Sequence, residues 1–321
     1  MMKLYFAPME GVTGCVFRSV HNRIFGGADK YFSPFIAPDG DGRFKASRLR
    51  DVLPENNRGL RLVPQVLANN AASFLAAARE LADLGYEEIN LNLGCPSATV
   101  VSKHKGAGML ADPGALDGFL SDVFAHAPVA VSVKTRLGLR SSAEFGAILA
   151  VYEKYPISEL IVHARDREGF YKSQPDLDAF ALALASRGDA IYNGNVFTRA
   201  DYDAVVGRFP ALGGVMLGRG AAADPALFRR ISGGAGATVP ELEEYHTALI
   251  DGYLSAGLSS QFACARMKEL WFYMFEMFDY DRAQYKALMR SHDLGQLRES
   301  AQSVFSQCPL LPDSAFCGRT E

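Results

Sequence analysis

Cysteine is scarce and irregularly placed in this chain of 321 residues. The five present, Cys15, Cys95, Cys264, Cys308 and Cys317, are odd in number and contain no Cys-x-x-Cys pair. That excludes a regular disulfide scaffold and gives no support to a zinc ribbon or thioredoxin-like site. The expectation is a reducing cytoplasm, with any special thiol catalytic and not cross-linked. No stretch approaches the length of a membrane span, and Met1–Pro8 lacks a charged region followed by an apolar run. An excess of positive charge is also missing: 33 Lys and Arg stand against 36 Asp and Glu, a net −3. A general nucleic-acid coat is thereby excluded, although a local positive groove is not. GxGxxG after an early strand, Walker A, His-Glu-x-x-His, a calcium loop and a nucleophile elbow are all absent, as are internal repeats and low-complexity tracts. No metal site is expected.

What the chain does contain is alternation. β-rich runs at Lys3–Ala7, Lys30–Ser33, Leu62–Leu67, Glu87–Asn92, Val129–Lys134, Leu160–His163, Ala190–Gly194 and Val215–Gly218 are interleaved with amphipathic segments. The latter include Ala71–Leu84, Pro113–Ala125, Ala143–Tyr155, Leu177–Ser186 and Arg199–Val206. Eight strands with intervening helices predict a parallel (β/α)8 TIM barrel of the α/β class. Ser232–Thr238 reads as a linker, with Pro240 suited to the first turn of a helix. Helical patterns follow at Glu241–Ala256, Gln261–Phe278, Asp281–Arg290 and Gly295–Ser306. Their short connections predict a smaller all-α bundle. The expected organisation is a catalytic barrel over 1–232, a linker over 233–239 and a helical domain over 240–321. The tail, with Pro309, Pro312, Gly318 and two cysteines, is expected to be loose.

Polar residues gather where the strands end, and in such a barrel all those ends open on one face. The strongest signal is Asn90-Leu91-Asn92-Leu93-Gly94-Cys95-Pro96. Gly94 permits a sharp turn and Pro96 fixes its exit, presenting Cys95 at the mouth. Against this stands the buried structural thiol that a free cysteine often is. Asn92 offers amide groups to a heterocycle edge. Lys134 ends the next strand, where a cation suits the negative charge of a reduced flavin. In isolation, it reads equally well as a solvated lysine. His163 and Arg165 end another strand and can donate to a ring carbonyl, an anionic substrate or a phosphate. Asn193-Gly194-Asn195 and Gly218-Arg219-Gly220 follow the last two strands, the usual phosphate position of barrels.

Taken together these segments resemble the tRNA-dihydrouridine synthase family. Ala7-Pro8-Met9-Glu10-Gly11-Val12 is similar to its opening flavin-contact segment, Asn92–Pro96 to its catalytic signature, and Val133-Lys134-Thr135-Arg136-Leu137-Gly138 to its flavin-facing lysine motif. Val162–Arg165, Asn193–Asn195 and Gly218–Gly220 continue the match in the family's order. The likeness spans roughly 3–232 and extends more weakly through Ala265–Trp271; the opening and Arg266-Met267-Lys268 look most like the C-type bacterial branch. The resemblance implies FMN contacted by Ala7, Pro8, Met9, Gln65, Lys134 and His163, with its phosphate at Asn193, Gly194, Asn195, Gly218 and Arg219. It implies NADPH as hydride donor, hydride transfer to C6 of uracil, and a proton from Cys95 to C5. Asn92 would help hold a uracil turned out of the tRNA fold.

For tRNA contact the residues put forward are Arg165, Arg266, Lys268 and Tyr273, together with Lys103, His104, Lys105, Arg136, Arg140, Arg167, Tyr171 and Lys172 on loops at the mouth. Trp271, Phe272, Met274 and Phe275 read as bundle core. The chain departs from the family at His163-Ala164-Arg165-Asp166, where His-Gly-Arg-Thr is frequent, at Asn195, where an acidic residue is common, and over Ser102–Gly108. Two other readings stay open: an FMN barrel reductase of a free pyrimidine, and a tRNA-binding protein that does not catalyse. No membrane or obligate protein partner is expected, and the chain reads as a monomer.

Overall fold

The computed structural model describes residues 2–39 and 43–317. Nine parallel strand segments form one sheet: β1 Lys3–Phe6, β2 Lys30–Phe32, β3 Leu62–Val63, β4 Gln65–Val66, β5 Glu88–Leu93, β6 Ala130–Gly138, β7 Leu160–Asp166, β8 Ile191–Asn193 and β9 Gly214–Leu217. Their order around the sheet is β3-β2-β1-β9-β8-β7-β6-β5-β4. All eight expected strands are present, but the third is split. β3 pairs with β2 and β4 pairs with β5, with only Pro64 between them. Proline has no N–H for the ladder, so the strand breaks there, while its carbonyl still accepts from the Asn90 N–H at 2.8 Å. The barrel is thus closed across a one-residue seam.

Side chains alternate across each strand, and the barrel sorts them by face. Ile89, Leu91, Leu93, Val131, Val133, Leu160 and Val162 belong to the main core packed under the surrounding helices. Tyr5, Ala7, Phe32, Val63, Ile161, Ile191 and Met216 form a separate apolar cluster, the filling of the barrel interior. At its lower end Lys30 is 2.7 Å from Glu88 and 2.8 Å from Glu159, with Tyr5 donating to Glu159 at 2.6 Å. At its upper end the interior turns polar, and that is where the site lies.

Helices Ala71–Asp83, Pro113–His126, Phe145–Tyr152, Leu177–Arg187 and Arg199–Arg208 follow the strands as expected. Helix Cys15–Ile24, which sequence patterning did not mark, packs on helix Val239–Ser255 and ties the helical region to the barrel. That second helix begins with a capping box, Thr238 with Glu241, and carries Pro240 in its first turn. Ser260–Met274, Arg282–Met289 and Leu294–Gln307 complete the bundle, with Trp271, Phe272, Met274 and Phe275 buried in it. No helix among the described residues is long and apolar enough to cross a membrane.

The tail corrects an expectation. Far from being loose, residues 309–316 are pinned by Asp279 N–H to the Pro309 carbonyl, Leu311 N–H to Met277 and Ala315 N–H to Glu276. Phe316 is buried against Phe197 and Tyr273. The buried ring and the three backbone hydrogen bonds act together to hold the segment, since one ring alone would not offset the freedom lost in ordering it. Gly318, also assigned to the tail, lies outside the described residues.

Candidate active site

A cavity of about 440 Å³ opens at the C-terminal ends of the strands. Ala7, Pro8, Met9, Gln65, Asn92, Cys95, Lys134, His163, Asn193, Gly194, Gly218, Arg219 and Tyr273 all line it. Residues spread over more than two hundred positions converge because the inward register of each strand carries its last side chain to the same rim: Asn92 pairs with Lys134, Arg136 with His163, and His163 with Asn193.

Cys95 occupies a heavily braced turn. The Asn92 Oδ1 accepts from the N–H groups of Gly94 at 3.0 Å and Cys95 at 2.9 Å. Three successive carbonyls are held in turn: Gly94 by Arg136 Nε at 2.9 Å, Cys95 by the Ala107 N–H at 3.1 Å, and Pro96 by Arg167 Nε at 3.1 Å. Gly106, with φ +56°, presses so closely that a Cβ would come within 2.9 Å of the Cys95 Cβ and carbonyl. Burial pushes the Cys95 thiol up, opposed by the Ser97 N–H and more weakly by Arg136 and Lys134. The group is a thiol at neutral pH, in the state needed of an acid.

Below the turn a row of amides spans the barrel. Asn92 Nδ2 donates to Gln65 Oε1 at 2.7 Å, Gln65 Nε2 to Asn90 Oδ1 at 2.7 Å, and Asn90 Nδ2 to Ser132 Oγ at 3.0 Å. Asn92 was expected to offer its whole amide to a ring. Instead, its oxygen is committed to the Cys95 turn and one N–H to Gln65, which leaves a single N–H for a ligand.

The adjoining wall, which starts on the strand next to Asn92, is cationic. Lys134 makes no hydrogen bond or ion pair among the described residues, and burial, reinforced by Arg136, brings its pKa down to about 7. His163 Nε2 lies 3.1 Å from Arg165 Nη1. A guanidinium only donates, so Nε2 accepts and the neutral ring carries its hydrogen on Nδ1. Burial, and then the charges of Arg136, Lys134, Arg165 and Arg219, hold His163 well below the usual histidine range. Its Nδ1–H has no partner among the described residues and is available to an acceptor in the cavity.

Arg165 and Asn195 are absent from the cavity wall. Arg165 Nη2 donates to Asn195 Oδ1 at 2.9 Å and its Nε to the Ser173 carbonyl at 2.7 Å, while Arg219 reaches the same Asn195 oxygen at 3.2 Å. Asn195 therefore supplies to two guanidiniums the oxygen that an acidic residue would. Asp166 accepts from the Gly169 N–H at 2.5 Å and folds its own loop. Arg266 donates to the Gly11 carbonyl at 2.8 Å and lines a neighbouring cavity. Lys268 is tied to the Ser291 carbonyl at 3.0 Å and lines neither cavity.

Arg136, expected on a mouth loop, lies in β6 and is buried; it serves the Cys95 turn and the Asp166 carbonyl. Tyr171 is a wall residue held between cations, with Arg219 at 4.3 Å and Arg136 at 5.6 Å from its ring centre. Pro34, Phe35, Phe170 and Phe197 also line the cavity and were not singled out in the sequence. Pro34 and Phe35 follow β2 after Ser33, so the strand-end rule applied to that strand would have found them. Phe170 carried no such signal: its φ of +50° is a tertiary result.

A dihydrouridine synthase family model matches residues 5–302, nearly the whole barrel and bundle. The chain belongs to the dihydrouridine synthase family. It is 34 % identical over 245 residues to a tRNA-dihydrouridine(16) synthase of Ralstonia nicotianae, 73 % of each chain. A second protein of that name, from Cupriavidus necator, is also 34 % identical, over 73 % of this chain and 74 % of its own. A tRNA-dihydrouridine synthase B of Pseudomonas putida is 29 % identical over 77 % and 74 %. Among solved structures the old yellow enzyme of Trypanosoma cruzi superposes with a TM-score of 0.53 at 12 % identity, covering 78 % of this chain and 93 % of its own. That likeness establishes the barrel fold.

Proposed function

We propose that the protein is an FMN-dependent tRNA-dihydrouridine synthase that reduces the C5=C6 bond of a D-loop uridine with NADPH. The observation that carries this reading is the pairing of two walls in one cavity. One bears Lys134 and the His163 Nδ1–H, neither with a hydrogen-bond partner among the described residues; the adjoining one presents Cys95 as a neutral thiol.

The residues fit FMN. Lys134 and His163 offer a cation and a donor to the electron-rich edge of the isoalloxazine ring, and Gln65 lies in the same wall. Ala7, Pro8 and Met9 give an apolar floor. Gly194 and Gly218 line the cavity with backbone alone and packing holds them to glycine: a Cβ on Gly194 would strike the Tyr192 hydroxyl, and one on Gly218 would meet Ala7 at 3.3 Å. Arg219 adds charge, with Asn193 and Asn195 supporting that end. When bound, the flavin supplies the hydride, drawn from NADPH, that reaches C6 of the uracil.

The chain's own part is to deliver the matching proton. As C6 gains hydride, C5 becomes enolate-like, and the Cys95 thiol protonates it. Asn92 holds the Cys95 turn and presents its remaining N–H to the ring. Arg165 acts by positioning His163 and Asn195, while Arg266, Lys268 and Tyr273 belong to the tRNA-facing side of the helical region. In this reading 1–232 is the catalytic unit, 233–239 the linker and 240–321 the RNA-binding unit.

The test is anaerobic. Flavin bound to the purified protein is reduced with NADPH and mixed with tRNA lacking dihydrouridine, and the RNA is analysed for the modified base. Rapid reoxidation with product is expected, and position 16, for which the 34 % identical relatives are named, is the first to read. Bound flavin that ignores tRNA, yet is reoxidised by a free pyrimidine, would overturn the assignment.

A further inference from the structure

A second cavity of about 360 Å³ lies beside the first, between the barrel mouth and the helical region. The two share Glu10, Pro34 and Phe35 as a common wall, so their occupants would be separated by little more than one side chain. Nothing in hydride or proton delivery uses it. Its size is that of a small-ligand site.

Its chemistry is aromatic and cationic. Phe35, Tyr253 and Phe262 contribute rings, and Phe262 stays 37 % exposed although it is a large apolar side chain. The Arg266 guanidinium, paired through Nη1 with Glu269 at 2.5 Å, lies 4.8 Å from the centre of the Phe262 ring. Arg48 is half-exposed, and among the described residues it pairs only with Glu10, at 3.9 Å. Of the two carboxylates that line it, Glu10 faces Arg48 and Asp51 is already spent, accepting from the Cys15 N–H at 2.6 Å and pairing with Arg18 at 3.1 Å. A flat apolar slot edged by guanidiniums suits a nucleobase with its phosphate, since rings stack on the base face and cations meet the backbone.

We infer that this second cavity takes an unstacked base of the RNA, one that flanks the target uridine. The inference rests on the tRNA reading above. Turning one base out of a loop unstacks its neighbour, and a second slot next to the first compensates that loss while fixing which loop position enters the catalytic cavity.

The experiment uses full-length enzyme and tRNA transcripts with a single abasic nucleotide at each D-loop position flanking the modified uridine. Dihydrouridine formation is measured for the wild type, Phe262→Ala and Arg48→Gln. One abasic position should raise KM for the wild type roughly tenfold, the size of one stacked base. The same position should cost almost nothing further in Phe262→Ala, because base and ring are partners in one contact. Equal penalties in wild type and both variants at every position overturn the inference. So does a changed rate of NADPH-dependent flavin reduction without RNA, which would assign the cavity to the dinucleotide. Failure of the parent reading shows separately, as no dihydrouridine from the wild type on an intact transcript.

Discussion

At the scale of single residues the site divides into groups that would touch reacting atoms and groups that hold them. Cys95 belongs to the first. Cys95→Ala should keep bound flavin and accept hydride from NADPH, yet lose dihydrouridine formation by a factor of about 10² to 10⁴, the usual worth of a positioned acid. Normal product from that variant would remove the proton-donor role. Gly106 belongs to the second. At φ +56° an L side chain is strained, and its Cβ would run into Cys95 itself. Gly106→Ala should therefore lower kcat by up to about a hundredfold while the flavin spectrum stays unchanged, because the thiol is displaced and the ring is not. An unaltered kcat would show that the turn gives way without moving the thiol. Gly106 falls in the Ser102–Gly108 run that departs from the family pattern, and its service to Cys95 was invisible in sequence because the two meet only through the fold.

At the scale of elements, strand ends were the legible part. Lys134, His163, Asn193 and Gly218 could be placed at one rim from alternation alone, since a period of two and a barrel leave no other arrangement. What stayed hidden depends on contacts between distant segments. Arg136 looked like a loop cation, yet β6 continues to Gly138 and buries it. Phe316 looked like part of a free tail until Phe197 and Tyr273 supplied a seat. The lower end of the barrel was unreadable for the same reason. Lys30 in β2, Glu88 in β5 and Glu159, just before β7, meet only after closure, and Glu88 keeps one buried oxygen without a partner among the described residues. Lys30→Met should cost about 3 kcal/mol, because it removes the buried cation between two largely buried carboxylates. Lys3→Ala, which removes only a half-exposed partner of Glu159, should cost less than about 1 kcal/mol. Urea midpoints of the two variants compare them directly, and equal losses would refute a role for burial.

At the scale of the whole molecule three histidines are buried neutral in three different regions. His21 sits under the barrel rim, with Nδ1 accepting from the Tyr31 hydroxyl and Nε2–H donating to the Pro225 carbonyl. His246 lies in the bundle, accepting from Trp271 Nε1 at 3.1 Å with its other nitrogen unpartnered among the described residues. His163 is in the site. Burial brings His21 and His246 down to about 4, and His163 well below its usual value. Between the ordinary range near 6.5 and these lowered values the unfolded chain binds protons that the folded chain refuses. Stability is therefore full above about pH 6.5 and is lost as pH falls toward 4. For each of His21 and His246 the loss should reach about 2 kcal/mol by pH 5. Urea unfolding at pH 7, 6 and 5 should show the decline, and His246→Gln should flatten it by one proton's worth of slope. Because the three rings sit in barrel, bundle and site, a shared acid transition in all spectroscopic probes would mean that the barrel and bundle unfold as one unit. Separate transitions would mean that the helical region melts on its own, and a level profile from pH 7 to 5 would sink the account of the histidines.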